Sequence, residues 1–396
     1  MLDMLDSLFR THQYLVEHLG SPVRRALMDE INWRDRLIGI KGSRGVGKTT
    51  FLLQYARENF SLRDYKCLYI NMNSFYFQGH SLVDFAGTFY KSGGQVLLID
   101  QVFKHAGWSQ ALHECYDKFP MLRIIFTGSS VMRLKEENPD LNGICASYNL
   151  RGFSFREYLN IMAGTKLRPY TLREIENRHE RIAREVLEQC DPMQYLPSYM
   201  HHGYYPFFLE KSNFSENLLK TMNMMIEVDV LLIKQIELKY LDRIKKLLYQ
   251  LAVSGTGAPN VSQLAQDVQT SRATIMNYIK YLTDARLMSM IYRKGEEFPK
   301  KPARVMMHNT NLMYAMTPGN VNRQDMLETF FQNALCGRHD VKVGDRSCTF
   351  LVDGNQRFRI LDEVPRRKST DVLYVRADIS KGSEQQVPLW MYGLLY

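Results

Sequence analysis

The chain has 396 residues, of which 45% are hydrophobic and 23% charged. These values are ordinary for a globular protein, and the length allows two or three domains. No apolar run approaches the ~20 residues of a membrane-spanning helix, and the first six residues lack a signal-peptide pattern. We therefore expect a cytoplasmic protein without membrane contact. Its six cysteines include no C-x-x-C pair, which argues against a zinc site and a disulfide framework.

The charge balance is positive, with 51 Lys and Arg against 42 Asp and Glu and a formal net charge of +9. Such a surplus favours contact with polyanions but does not identify one, because part of it can serve a nucleotide. The basic run at 366–368 is most simply a solvated loop, with nucleic-acid contact as the alternative.

The first part of the chain predicts an α/β fold. After a helical lead-in over 1–33, short apolar runs alternate with longer amphipathic stretches across 34–152. This alternation predicts a parallel sheet with helices on both faces. The expected strands are 37–41, 67–72, 96–100, 124–127 and 147–150.

The remainder of the chain predicts three further domains. Residues 153–235 are helical and form a lid or connector, with a capping-box pattern at 171–174. Residues 236–302 show helices, a turn and a first strand in an order typical of winged helix-turn-helix domains. Residues 303–396 mix a helix with short strands and predict a small α+β domain.

A phosphate-binding motif follows the first predicted strand. Residues 42–49 read G-S-R-G-V-G-K-T and fit G-x-x-x-x-G-K-[ST] between a strand and a helix. The glycines let backbone N–H groups face phosphate oxygens, Lys48 adds charge, and the Thr49 hydroxyl is a ligand for Mg²⁺. The sequence therefore predicts that ATP and Mg²⁺ bind here. The predicted nucleotide-binding residues are Gly42, Ser43, Arg44, Gly45, Val46, Gly47, Lys48, Thr49 and Thr50.

The apolar strand at 96–100 ends in Asp100, which we expect to hold Mg²⁺ directly or through water. The next residue is Gln101, at the position where a hydrolytic enzyme of this kind needs a carboxylate. An amide orients a water but cannot accept its proton, and loss of a general base costs roughly 10²–10⁴-fold in rate. Either Gln101 traps bound ATP in an altered protein, or the chain is naturally a poor hydrolase.

Two other groups of polar residues suggest functional roles. Ser129 or Thr127, at the end of the fourth strand, is a candidate sensor of the γ-phosphate, although a simple hydroxyl-rich turn explains the pattern equally well. On the predicted recognition helix, the candidate DNA contacts are Arg272, Asn277 and Lys280. The alternative for this helix is packing or protein contact, because it is only mildly basic.

Several segments of the chain match a known family. The most specific is L-L-I-D-Q-V-F-K-H-A-G-W-S-Q-A-L-H-E-C-Y-D-K-F-P-M-L-R-I-I-F-T-G-S-S, and others are F-S-F-R-E-Y-L, H-G-Y-Y-P, N-T-N-L, L-E-T-F-F and V-P-L-W-M-Y-G. They resemble prokaryotic AAA+ ATPases with a C-terminal domain of unknown function. The resemblance covers nearly the whole chain and implies an ATPase core, a winged helix and a restriction-endonuclease-like terminal fold.

The chain departs from this family in its catalytic positions. Gln101 replaces the usual glutamate, and Gly143-Ile144 replace a basic pair that is a plausible arginine finger. Arg151 and Arg156 lie close enough in sequence to substitute for that finger. Members of the family often form rings, so a homo-oligomer is expected, although the missing pair weakens this expectation.

The terminal domain departs from the family as well. Family members commonly carry an Asp and a Glu near the positions of Thr349 and Arg359, and only Glu328 of that acidic set remains. Because nucleases need clustered carboxylates for their metal ions, we expect 303–396 to be degenerate. The sequence thus predicts an ATP-dependent conformational switch with little hydrolysis, or alternatively a DNA-binding ATPase or regulator that uses the winged helix.

Overall fold

The computed structural model describes residues 2–20, 23–132, 138–210, 213–361 and 369–396. The chain divides into two compact units, Met1–Arg151 and Gly152–Tyr396. Among the described helices, none is both long and apolar enough to cross a bilayer.

The first unit contains a five-stranded sheet. Its strands are β1 (Leu37–Gly42), β2 (Cys67–Asn71), β3 (Val96–Asp100), β4 (Arg123–Ser129) and β5 (Ala146–Asn149). They pair in parallel in the order β2-β3-β4-β1-β5, which confirms the predicted parallel sheet. Every residue of β3 is buried, as expected for a strand covered on both faces. Because β1 lies between β4 and β5, the loop after β1 leaves from the interior of the sheet.

The helices of the first unit cover this sheet. They are α1 (Leu2–Glu17), α2 (Leu27–Glu30), α3 (Lys48–Asn59), α4 (Leu82–Lys91) and α5 (Trp108–Lys118), with 3₁₀ turns at Phe75–Gln78, Val102–Lys104 and Pro139–Leu141. Helix α1 packs on β2 and α3. His12 of α1 is 3% exposed, and its Nδ1 accepts a hydrogen bond from the Tyr69 N–H of the edge strand β2 at 3.1 Å. The helix therefore satisfies a backbone donor that an edge strand otherwise leaves unpaired.

The second unit is mainly helical in its first half. Its helices are α6 (Phe155–Met162), α7 (Leu172–Leu187), α8 (Pro192–His202), α9 (Phe214–Met224), α10 (Leu231–Ile233), α11 (Leu241–Val253), α12 (Val261–Asp267), α13 (Arg272–Asp284), α14 (Thr310–Met316) and α15 (Arg323–Leu335). A π-helical turn at Met225–Val230 joins α9 to α10, and 3₁₀ turns occur at Pro206–Leu209, Leu238–Tyr240 and Leu389–Leu394. The predicted capping box at 171–174 is present, with Thr171 and Glu174 bonded reciprocally.

The strands of the second unit form two sheets. One is an antiparallel pair, β6 (Met288–Ile291) with β7 (Arg304–Met307). The other contains β8 (Val341–Val343), β9 (Phe350–Val352), β10 (Gln356–Leu361), β11 (Leu373–Arg376) and β12 (Gln386–Pro388). Its order is β12-β11-β10-β9-β8, with parallel pairing from β10 to β12 and antiparallel pairing from β8 to β10.

Packing in the second unit differs from the predicted division into lid, winged helix and terminal domain. Phe155 of α6 and Ile175 of α7 belong to the same buried core as Phe331, Phe350 and Trp390. The helices predicted as a separate lid therefore bury their apolar faces together with the terminal sheet. Strand β7 pairs with β6, although the predicted domain boundary at 302 separates them.

Candidate nucleotide-binding site

The loop between β1 and α3 has the backbone that its glycines predict. Gly45 and Gly47 have φ values of 83° and 92°, a left-handed region that residues with a Cβ rarely adopt. Gly47 lies directly before Lys48, the first residue of the 12-residue helix α3. The loop therefore leads into a helix N-terminus, where free N–H groups and the helix dipole favour an anion.

The lysine of the motif lies against this loop. Lys48 Nζ donates to the carbonyl oxygens of Gly42 and Ser43, both at 2.8 Å. The positive charge is thus held at the loop that the sequence predicts to bind phosphate.

The two predicted metal ligands are in direct contact. Asp100, at the end of β3, is 1% exposed, and Thr49 Oγ1 donates to its Oδ2 at 2.7 Å. The Tyr69 hydroxyl donates to the same Oδ2 at 2.9 Å. A hydroxyl and a carboxylate at a phosphate loop are hard oxygen ligands of the kind that Mg²⁺ uses in nucleotide sites. Thr49 and Asp100 therefore fit this ion.

Gln101 is fixed at its backbone beside Asp100. The Thr127 hydroxyl donates to Asp100 Oδ1 and accepts a hydrogen bond from the Gln101 N–H at 2.9 Å. The same N–H lies 3.1 Å from Asp100 Oδ1. Gln101 has a φ of 55°, a left-handed conformation that is uncommon outside glycine. The residue at the predicted general-base position is thus held at the site, with an amide side chain.

The two sensor candidates have different surroundings. Thr127 contacts Asp100 and Gln101, as described above. Ser129 is buried, and its hydroxyl accepts from the Val131 N–H at 3.3 Å, which closes a local turn. The structure therefore favours Thr127 as the hydroxyl at the carboxylate, while a sensing role for Ser129 stays a prediction.

Comparison with protein families identifies the segment that carries this site. Residues 34–159 match the AAA domain family, and residues 193–318 match a domain of unknown function, DUF8612. The segment that carries the site is therefore similar to AAA domains. An uncharacterized protein of Methanocaldococcus jannaschii is 27% identical over 282 residues, which are 67% of this chain and 58% of that protein. The chain thus spans less than two thirds of this relative.

Solved structures show a weaker likeness. The Aeropyrum pernix ORC1 protein in complex with DNA is 11% identical with a TM-score of 0.31, covering 78% of this chain and 90% of that one. C. elegans PCH-2 is 14% identical with a TM-score of 0.24, covering 72% of this chain and 66% of that one. A chain of the E. coli MS115-1 HORMA:CdnC:Trip13 complex is 18% identical with a TM-score of 0.25, covering 41% of this chain and 69% of that one. These TM-scores are too low to assign an arrangement to this chain.

Arg25 also contributes to the site, although it precedes the segment that matches the AAA domain. It is 8% exposed, and its Nη1 donates to the Val46 carbonyl oxygen at 3.2 Å while Nη2 donates to the Arg151 carbonyl oxygen at 2.7 Å. Sequence reasoning missed Arg25 and Tyr69, because neither lies in a motif. The only available signal for Tyr69 was a polar aromatic residue within an otherwise apolar strand.

The two arginine-finger candidates differ in exposure and in their contacts. Arg151 is partly exposed, and its role at a neighbouring site stays a prediction. Arg156 is 6% exposed, and it donates to the carbonyl oxygens of Tyr396 at 3.0 Å and Leu167 at 3.2 Å. The prediction that Arg156 substitutes for the finger is therefore wrong, because its guanidinium is used inside its own unit.

Glu328, the carboxylate that remains of the acidic set implied by the family resemblance, is engaged in an ion pair. Arg304 contacts Glu328, and Gln324 Nε2 donates to Glu328 Oε1 at 2.8 Å. The Thr349 hydroxyl accepts the Ile360 N–H at 3.2 Å. Within the described ranges, no group of three or more His, Cys, Asp or Glu side chains is placed to hold a metal ion.

The candidate DNA contacts lie on α13. Arg272 and Asn277 are exposed, whereas Lys280 is mostly buried and contacts Asp284 one turn along the helix. Lys280 is therefore committed to a pair within its own helix. The basic run at 366–368 lies outside the described residues.

Proposed function

We propose that the AAA domain binds ATP with Mg²⁺ and that the chain acts as a nucleotide-dependent conformational switch with weak or absent hydrolysis. The observation that carries this proposal is Gln101, which is anchored beside Asp100 but offers an amide where a hydrolase needs a base. An intact phosphate loop next to such a position suits retention of ATP rather than its rapid turnover.

Each residue of the site has a role in this proposal. Lys48 exchanges its carbonyl partners for phosphate oxygens, and Thr49 and Asp100 hold Mg²⁺. The ion, when bound, neutralises charge on the phosphates. Thr127 links Asp100 to the backbone of Gln101, so contact with a γ-phosphate at this position alters the segment after β3. Contacts of this kind order mobile segments in other nucleotide switches.

The experiment that tests the proposal measures nucleotide affinity together with steady-state phosphate release. We expect the unaltered chain to bind ATP with Mg²⁺ and Gln101→Glu to raise turnover by roughly 10²–10⁴-fold. Gln110→Glu, at an exposed position of α5, is the matched control, and Lys48→Ala removes binding. An ordinary ATPase rate in the unaltered chain contradicts the proposal. If neither form turns over, the chain is a binding protein without hydrolysis.

A second candidate function is a DNA-binding ATPase or regulator. The observation that favours it is the order α12, turn, α13 and β6–β7, with Arg272 and Asn277 exposed on α13. For a site that reads bases, we expect Arg272→Ala and Asn277→Ala each to cost about 1–3 kcal/mol of DNA binding, and Lys280→Ala to cost less. Duplex affinity that does not fall with added salt rules out this function.

Self-association is a further part of the proposal. A ring or smaller homo-oligomer follows from the family resemblance, with Arg151 reaching the site of a neighbouring copy. Mass measurement with and without ATP tests it, and Arg151→Ala is expected to lower turnover of Gln101→Glu without changing ATP affinity.

A further inference from the structure

Tyr69 is held at both its backbone and its side chain. Its N–H donates to His12 Nδ1 at 3.1 Å, and its hydroxyl donates to Asp100 Oδ2 at 2.9 Å. The residue is buried on β2, next to β3, and β2 pairs with β3 in a register that sets Asn71 opposite Asp100. Two fixed points therefore determine where the phenol lies.

The donors to Asp100 divide between its two oxygens. Oδ1 receives the Thr127 hydroxyl and the Gln101 N–H, which is 3.1 Å away. Oδ2 receives the Thr49 hydroxyl at 2.7 Å and the Tyr69 hydroxyl at 2.9 Å. Among the described contacts, the Tyr69 hydroxyl therefore donates to the same Asp100 oxygen as the hydroxyl of the predicted metal ligand Thr49.

A phenol suits this position because its hydroxyl can donate to a carboxylate oxygen, which only accepts. The Tyr69 oxygen lies 2.9 Å from Asp100 Oδ2, within hydrogen-bond distance. Asn71 Nδ2 donates to the Tyr69 oxygen at 3.4 Å, which leaves the phenol proton directed to Asp100. A buried carboxylate oxygen without a donor is costly, so the Tyr69 hydroxyl also offsets part of the cost of burying Asp100.

We propose that Tyr69 is a positioning residue that sets the affinity for Mg²⁺ by holding Asp100 Oδ2 beside the Thr49 hydroxyl. The inference rests on the proposed function, since it concerns the same metal site. Partners that orient a metal-binding carboxylate typically contribute about 10–100-fold to metal affinity.

The experiment follows binding of a fluorescent ATP analogue to the full chain, first in EDTA and then during a Mg²⁺ titration. We expect Tyr69→Phe to raise the half-saturating Mg²⁺ concentration by about 10-fold or more, with affinity in EDTA unchanged. Tyr55→Phe is the matched control, because Tyr55 is also buried in the first unit but its charged neighbour is Arg123. This control is expected to leave the Mg²⁺ dependence unchanged.

The outcomes separate this inference from the proposed function. An unchanged Mg²⁺ dependence in Tyr69→Phe overturns the inference, and so does an equal loss of affinity with and without Mg²⁺, which signals a merely structural role. If the unaltered chain shows no Mg²⁺-dependent binding, or if Thr49→Ala retains it, the proposed metal site itself is wrong.

Discussion

The guanidinium of Arg25 donates a hydrogen bond to the carbonyl oxygen of Val46, 3.2 Å away, inside the phosphate loop. Its other terminal nitrogen donates to the Arg151 carbonyl oxygen. A buried side chain that precedes the AAA match therefore ties the loop to the last residue of the first unit.

Removal of this guanidinium is expected to loosen the loop. Arg25→Ala leaves two carbonyl oxygens without this donor, which costs about 1–3 kcal/mol of folding free energy and weakens ATP binding in the same direction. Arg24→Ala is the control, because Arg24 forms exposed ion pairs with Asp29 and Glu58. Such surface pairs contribute little. Urea unfolding measures the free energy of unfolding, and ATP titration measures the affinity for ATP. Equal effects of Arg25→Ala and Arg24→Ala contradict the idea that Arg25 holds the phosphate loop in place.

The close packing around Gly42 requires a glycine there, in addition to the requirement of the phosphate-binding motif. A Cβ at this position lies 2.4 Å from the Leu150 carbonyl oxygen, so the close approach of two backbone segments excludes a side chain. We expect Gly42→Ala to cost roughly 1–3 kcal/mol of stability through this overlap. Gly79→Ala, where a Cβ meets nothing within 4 Å, is expected to change stability by less than about 0.5 kcal/mol. Thermal unfolding of both variants tests the difference.

His12 makes the first unit sensitive to acid. Burial lowers the pKa of His12 from 6.5 to about 4, so the folded chain binds its proton less readily than the unfolded chain. The stability that depends on neutral His12 is present above about pH 6.5 and is lost as the pH falls towards 4. At pH 5 we expect about 2 kcal/mol less stability than at pH 7 from this group.

Urea unfolding at the two pH values measures this effect. His12→Asn, which keeps an acceptor but does not titrate, is expected to flatten the pH dependence between 5 and 7. His18→Asn, in the exposed turn directly after this helix, is the comparison variant and is expected to leave it unchanged. If the stability of His12→Asn depends on pH between 5 and 7 as strongly as that of the unaltered chain, His12 is not the cause of the acid sensitivity.

The ion pair of Arg304 and Glu328 has a structural role. Glu328→Ala leaves the mostly buried guanidinium without its carboxylate, and we expect a loss of about 3 kcal/mol. Glu114→Ala breaks the exposed pair with Lys118 and is expected to have little effect on stability, because solvent screens such pairs. Differential scanning calorimetry compares the two. A stable Glu328→Ala variant indicates that the carboxylate is retained for another purpose.

The sequence predicts the first unit well because its signals are local. Eight consecutive residues define the phosphate loop, and each apolar run corresponds to a strand of the sheet. The contact of Thr49 with Asp100 is consistent with the parallel arrangement, since the carboxyl ends of β1 and β3 lie at the same edge of the sheet, on either side of β4.

Other features are not local in the sequence. Arg25 and Tyr69 act through partners far along the chain, and hydrophobic periodicity carries no information about such pairs. The same limit applies to the second unit. Periodicity indicates its helices and strands, but it does not show that Phe155 and Trp390 share one core.

Because α1 packs on the edge strand β2, the choice of fragment boundaries matters when part of the chain is expressed alone. A fragment cut at the family match, 34–159, lacks His12 and Arg25 and leaves the β2 edge open to pairing with other molecules. It also retains the beginning of α6, whose apolar partners lie in the second unit. Residues 2–151 are therefore the better fragment for isolating nucleotide binding, and 34–159 is expected to aggregate.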